Sequence, residues 1–313
     1  MKIDAHKGVL MFSKILVPLD GSELSERALV PAFALAQRPG SMLTLLRVPV
    51  ARTGLVIGLE AFDSHIRGWT QEQHTQECLQ AETYLEALKA THTRAGYNVE
   101  TCVPNEGVLD SILELAKRHD LIVMSTHGYS GLTKLMMGSV TERVLAAAEC
   151  PVLVIRSTKP IRHILVPLDG SELSETALAP ALEAAGRFNA AVTLFRAVDE
   201  VTKLEQVQLT GLGETDIATR LLDRLMKGAE NYLNTRVIPP ETALHVSREA
   251  VVSNTPGFRI LDYAERHETD LIVMATHGRT GLARWIYGSV TEKVLRNWHS
   301  SMLIIRPPLH RLH

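Results

Sequence analysis

Asp120–Leu145 reads DLIVMSTHGYSGLTKLMMGSVTERVL, and Asp270–Leu295 reads DLIVMATHGRTGLARWIYGSVTEKVL. The two stretches agree at 17 of 26 positions. Each begins with a short run rich in Ile and Val, Leu121–Met124 or Leu271–Met274, which suits a strand buried on both faces of a sheet. A loop opens at Gly128 or Gly278 and closes at Gly138-Ser139 or Gly288-Ser289. The spacing Ser139 to Glu142, and Ser289 to Glu292, predicts a capping box at a helix start. Strand, glycine-bearing loop and helix N-terminus together offer unpaired N–H groups, a positive dipole end and close backbone approach. Such a unit suits an anion, most often a phosphate. The same glycines and serines would serve equally to shape a turn and cap a helix.

A second repeated stretch makes the duplication secure. Ile15–Leu29 (ILVPLDGSELSERAL) and Ile164–Leu178 (ILVPLDGSELSETAL) match at 14 of 15 positions. The chain thus reads as a tandem repeat. Domain 1 is expected over residues 13–156 and domain 2 over 161–308, joined by the short polar Ser157–Pro160. A length of 313 residues agrees with two domains.

Within each repeat, strands and helices alternate. The strands expected are Ile15–Leu19, Met42–Val48, Tyr97–Val103, Leu121–Met124 and Val152–Arg156. In the second repeat they are Ile164–Leu168, Ala191–Ala197, a strand near Ala243–Ser247, Leu271–Met274 and Met302–Arg306. Ser22 and Ser171 are expected N-caps, and Pro31 and Pro180 should kink the first helix. Long helices are expected over Thr70–Ala95 and Asp216–Arg236, and further helices over Leu109–His119 and Gly257–His267. Ala250–Gly257 reads as an irregular stretch. Five strands alternating with helices predict an α/β fold, two tandem doubly wound five-stranded parallel sheets of Rossmann-like type. Ligands of such sheets bind beyond the carboxyl ends of the strands, where strand order reverses. If strands 1 and 4 are neighbours, Asp20 and the glycine loop face one crevice.

Composition narrows the classes. Hydrophobic residues make up 45% and charged residues 22%, with a formal net charge of −2. Nothing there points to nucleic acid as a partner. No apolar run approaches the roughly 20 residues that span a bilayer, and MKIDAHKGVLMF is too short and polar for a secretory signal. Three cysteines, Cys78, Cys102 and Cys150, contain no C-x-x-C and fit a reducing cytoplasm. Neither glycine loop is a Walker A motif, because no lysine precedes its serine. There is no nucleophile elbow, and the 13 histidines show no zinc spacing.

V-P-L-D-G-S at strand 1, and D-L-I-V-M-x-T-H-G followed nine residues later by G-S-V-T-E, resemble the universal stress protein family. The resemblance covers both repeats and nearly the whole chain. Nucleotide-binding members carry G-x-x-G-x9-G-[S/T]. Here its first glycine is replaced by Ser125 and by Ala275, both small. The resemblance implies that Pro18, Asp20 and Val48, with Met124 and Ser125, lie around adenine and ribose. Gly128, Gly138, Ser139 and Val140 would hold phosphates. The matching positions are Pro167, Asp169, Ala197, Met274, Ala275, Gly278, Gly288, Ser289 and Val290. The implied ligand is ATP, with Mg, or AMP or ADP. No metal site of the protein's own is implied. Asp20 and Asp169 either meet a ribose hydroxyl or metal, or organise the turn into the first helix. His127 and His277 either touch a phosphate or, the favoured reading, orient the loop; Arg279 either reaches a phosphate or, the favoured reading, lies exposed.

The resemblance also implies a regulatory stress-response function in the cytoplasm. The alternatives are a scaffold without nucleotide and a slow ATPase, for which the sequence offers no evident base, P-loop lysine or arginine finger. The family pairs through its last strand, so Val152–Arg156 and Met302–Arg306 are expected to pair within one chain as a pseudo-twofold dimer. Whole chains could further form a homodimer.

Overall fold

A computed structural model describes residues 12–50, 70–126, 137–198, 215–235, 244–276 and 288–306. The chain divides between Thr158 and Lys159 into two compact units. In the first, the strands are β1 (Lys14–Pro18), β2 (Met42–Leu46), β3 (Val99–Cys102), β4 (Leu121–Ser125) and β5 (Val152–Ile155). The described helices are α1 (Glu23–Glu26), α2 (Leu29–Leu35), α3 (Gln71–Arg94), α4 (Val108–Ala116) and α5 (Ser139–Ala147). The second unit repeats them as β6 (His163–Pro167), α6 (Glu172–Glu175), α7 (Leu178–Phe188), β7 (Ala191–Val198), α8 (Thr215–Thr235), β8 (Val246–Val252), α9 (Pro256–Arg266), β9 (Leu271–Ala275), α10 (Ser289–Asn297) and β10 (Ser301–Ile305).

The strand orders are β3-β2-β1-β4-β5 and β8-β7-β6-β9-β10. Every pairing within each unit is parallel. Order therefore reverses at β1/β4, where Ile15 stands opposite Leu121, and at β6/β9, where Ile164 stands opposite Leu271. The doubly wound α/β reading holds in both repeats. The central strands are apolar on both faces: Ile15, Leu16, Val17 and Leu121–Val123 are fully buried, because helices cover each side of a parallel sheet.

Asp120 and Asp270, which open the long repeated stretch, tie its strand to the sheet. Asp120 Oδ2 accepts from the Lys14 N–H at 2.9 Å and the Ser13 N–H at 3.1 Å. Asp270 Oδ2 accepts from the Arg162 and His163 N–H groups at 2.8 and 3.1 Å.

Three local expectations change. The prolines break the first helix instead of kinking it. Pro31 is the third residue of α2 and Pro180 the third of α7, and the chain leaves the helix at 27–28 and 176–177. A proline cannot donate to the carbonyl four residues earlier, here that of Arg27 or Thr176. The third strand of the second repeat is Val246–Val252, later than Ala243–Ser247. It sits at the sheet edge with Ser247, Arg248 and Glu249 exposed in its middle, so no apolar run marks it. Ala250–Val252 consequently belongs to a strand, paired with Arg196–Val198.

The third change is the capping box. The N-caps of α5 and α10 are Gly138 and Gly288, without a side-chain cap bond, so Ser139 and Ser289 are first helical residues. The helix start is held from the strand side instead. The Gly138 N–H donates to the Thr126 carbonyl at 2.7 Å, and Thr141 Oγ1 to the Ser125 carbonyl at 3.0 Å.

Candidate functional site

The turn after β1 is built by its own side chains. Asp20 Oδ1 accepts from the Ser22 N–H at 2.9 Å and the Ser22 hydroxyl at 2.6 Å. Ser22 Oγ then accepts from the Ser25 N–H at 3.1 Å as the N-cap of α1. Asp169, Ser171 and Ser174 repeat this, at 2.8, 2.6 and 3.1 Å. The aspartate thus organises the turn through one oxygen. No hydrogen bond from a described residue reaches Asp20 Oδ2. Burial pushes the Asp169 carboxyl up, but the bonds from Ser171 and Ser174 outweigh it and hold the group below the usual carboxylate range.

Gly21 and Gly170 have φ of +82° and +93°, which only glycine adopts without strain. A guanidinium lies against each. A Cβ on Gly21 would stand 3.0 Å from Arg47 Cζ, and one on Gly170 3.0 Å from Arg196 Nη2. Arg47 also lies over the Tyr84 ring at 4.8 Å, and Arg196 over Tyr232 at 4.5 Å. The two tyrosine hydroxyls donate to Glu26 at 2.8 Å and Glu175 at 3.0 Å. Burial, then the bond to Glu26 and its charge, push the Tyr84 phenol up. Sequence reasoning did not pick out this repeated Glu–Tyr–Arg group. Its signal was present, since Arg47 and Arg196 occupy the same place in MLTLLRV and AVTLFRA.

Above β1/β4 lies a cleft of about 380 Å³. It brings together Pro18, Asp20, Val48, Met124, Ser125, Gly138, Ser139 and Val140. Val108 and Ile112 of α4 add an apolar wall that sequence reasoning missed; their i, i+4 spacing was the available signal. Above β6/β9 lies a cleft of about 640 Å³ lined by Pro167, Asp169, Ala197, Met274, Ala275 and Val290, with Arg196 and Arg224. Gly288 and Ser289 are not among its lining residues. Gly128, Gly278, His127, His277 and Arg279 lie outside the described residues.

Each cleft has the start of a nine-residue helix, α5 or α10, on one side. The N–H groups of a first helical turn have no partner within the helix. Among the described residues, Asp20 is the sole ionisable residue along the first cleft. Both volumes fall in the range of small-molecule sites, about 300–1,000 Å³. Among the described residues no group of three or more His, Cys, Asp or Glu could hold a metal ion. None of the described helices is long and apolar enough to cross a membrane. The cysteines are free, and burial pushes the Cys150 thiol up to about 12.

The two units are therefore parallel α/β domains, each with a cleft at its topological switch point. The family model described as "Universal stress protein family" matches residues 11–156 and again 160–306. The chain belongs to that family. It is 24% identical over 300 residues to a universal stress protein of Mycolicibacterium smegmatis, covering 94% of this chain and 97% of that one. It is 34% identical over 151 residues to the universal stress protein YxiE of Bacillus subtilis, covering 47% of this chain and all of the relative. A universal stress protein structure from Archaeoglobus fulgidus superposes with a TM-score of 0.64 at 20% identity, covering 94% and 98% of the two chains.

Proposed function

We propose that this chain is a regulatory stress protein that binds an adenine nucleotide in one or both clefts, with binding altering conformation or partner choice. The observation carrying this reading is the convergence of eight residues, drawn from β1, β2, β4 and α5 and their flanks, on the first cleft. Apolar Pro18, Val48 and Met124 suit the faces of a base. Asp20 Oδ2 is available to a ribose hydroxyl. Gly138, Ser139 and Val140 present a helix start to phosphates. Mg would enter with the nucleotide, held by the phosphates and by Asp20. The same roles fall to Pro167, Asp169, Ala197, Met274, Ala275 and Val290, with Gly288 and Ser289 at the helix start. Gly128 and Gly278 are proposed phosphate contacts on the resemblance alone. Pairing of the two last strands within one chain also belongs to the proposal. An equimolar mixture of separately expressed residues 1–158 and 159–313 that shows no association by ultracentrifugation would refute that pairing.

The test is mass spectrometry of small molecules released on denaturation, followed by calorimetric titration with Mg-ATP. One or two nucleotides per chain, with affinity lowered in Asp20→Asn or Asp169→Asn, supports the reading. No released nucleotide and no saturable heat at millimolar ligand would overturn it in favour of a nucleotide-free scaffold.

A further inference from the structure

The long helix divides the two clefts in kind. Tyr84 and Tyr232 hold equivalent places, each bonded to the equivalent glutamate, and lie 148 residues apart. The same spacing relates Ile112 to Ile260, which line the two clefts. It sets Gln76 of α3 against Arg224 of α8, and Gln80 against Gly228. In the second cleft α8 supplies Arg224, Leu225, Gly228 and Ala229 to the lining. No residue of α3 lines the first.

Gly228 lies inside a helix, where glycine is conformationally costly. Among the described residues, no atom beyond its chain neighbours and its own helix backbone lies within 4 Å of the place its Cβ would take, so their packing does not demand it. The space it leaves belongs to the larger cleft, which Ala197 in place of Val48 widens further. Charge differs as well. Where the first cleft has Asp20, the second has Asp169 with Arg196 and Arg224. Arg47 matches Arg196, so among the described lining residues Arg224 is the cation peculiar to the second cleft.

Position then decides what these cations can meet. β7 and β9 lie on opposite sides of β6. The guanidinium groups come from β7 and α8, while the helix start follows β9. On the nucleotide reading, on which this inference rests, the 5′ phosphates lie by α10 and the ribose by Asp169 and Ala197. The arginines flank the ribose end. We propose that the second repeat takes an adenine nucleotide carrying a second anionic group at its ribose end, selected by Arg224. Planar guanidinium groups suit such a phosphate, with charge-assisted bonds.

Calorimetric titration of the full chain with AMP, ATP and adenosine 3′,5′-bisphosphate tests this. The bisphosphate should bind one site about tenfold tighter than AMP, as two charge-assisted contacts imply. Arg224→Gln should bring that ratio close to one. Arg224 is exposed on its helix, so the substitution leaves the core intact. Equal binding of bisphosphate and AMP to the parent chain overturns the inference. So does an Arg224→Gln variant that loses as much affinity for ATP as for the bisphosphate, which would make Arg224 a general anion attractor. Binding of AMP and ATP without the preference leaves the nucleotide reading standing. Binding of none of the three removes both.

Discussion

The first repeat and the second are built on the same frame and differ in the walls of their clefts. The turn after β1 and the turn after β6 share their aspartate, positive-φ glycine, capping serine and overlying arginine, with bond lengths within 0.1 Å of one another. The long helices differ. One, of 24 residues, supplies none of the described lining of its cleft, while the other supplies an arginine and a glycine. Duplication has kept what holds the turn and has varied what would touch the outer part of a ligand.

If the frames are equivalent, matched substitutions should have matched effects. The largest are in the sheet: Leu16→Ala and Leu165→Ala, both at fully buried residues, should each cost about 2–5 kcal/mol by denaturant unfolding. A cost confined to one would break the equivalence. Next come Gly21→Ala and Gly170→Ala. Each forces an alanine into left-handed backbone and presses a Cβ against an arginine, for a loss of about 1–2 kcal/mol. Removing the arginine side chain in the same protein should recover only the steric part of that loss.

Ser22→Ala and Ser171→Ala remove N-caps and should each cost about 1 kcal/mol. Ser139→Ala and Ser289→Ala should lie within about 0.5 kcal/mol of the parent, since neither serine makes a cap bond. A large loss at Ser139 would restore the capping box that the geometry rejects. The smallest effect separates Asp169 by pH. Its carboxyl is held below the ordinary value, so its contribution is fully present above about pH 4, the unfolded value. That contribution declines as pH falls through the lower folded value. Acid unfolding of Asp169→Asn should therefore converge on that of the parent below that range, and a constant gap would contradict it.

Much of the frame was legible in the chain. Parallel strands buried on both faces have no polar alternation, and the runs ILVPL, DLIVM and VLVIR show this directly. Ser22 read correctly as a cap because Asp20, two residues earlier, closes the same turn. Ser139 read wrongly because the capping pattern records spacing alone. The partner that holds that helix start, the Ser125 carbonyl, lies across the loop in β4. β8 was displaced in the sequence reading because an edge strand need not be apolar.

The sequence by itself determined the duplication and the parallel α/β class, because these rest on local patterns copied twice; the residues expected around a ligand came from the family resemblance. The tertiary structure alone decided that β1 neighbours β4, which brings Asp20 and Gly138 to one crevice. It also decided that Arg224 and Gly228 line a cleft while Gln76 and Gln80 do not. Strand order and the face a helix turns toward a cleft depend on contacts between residues far apart in the chain, and those leave no periodicity to read.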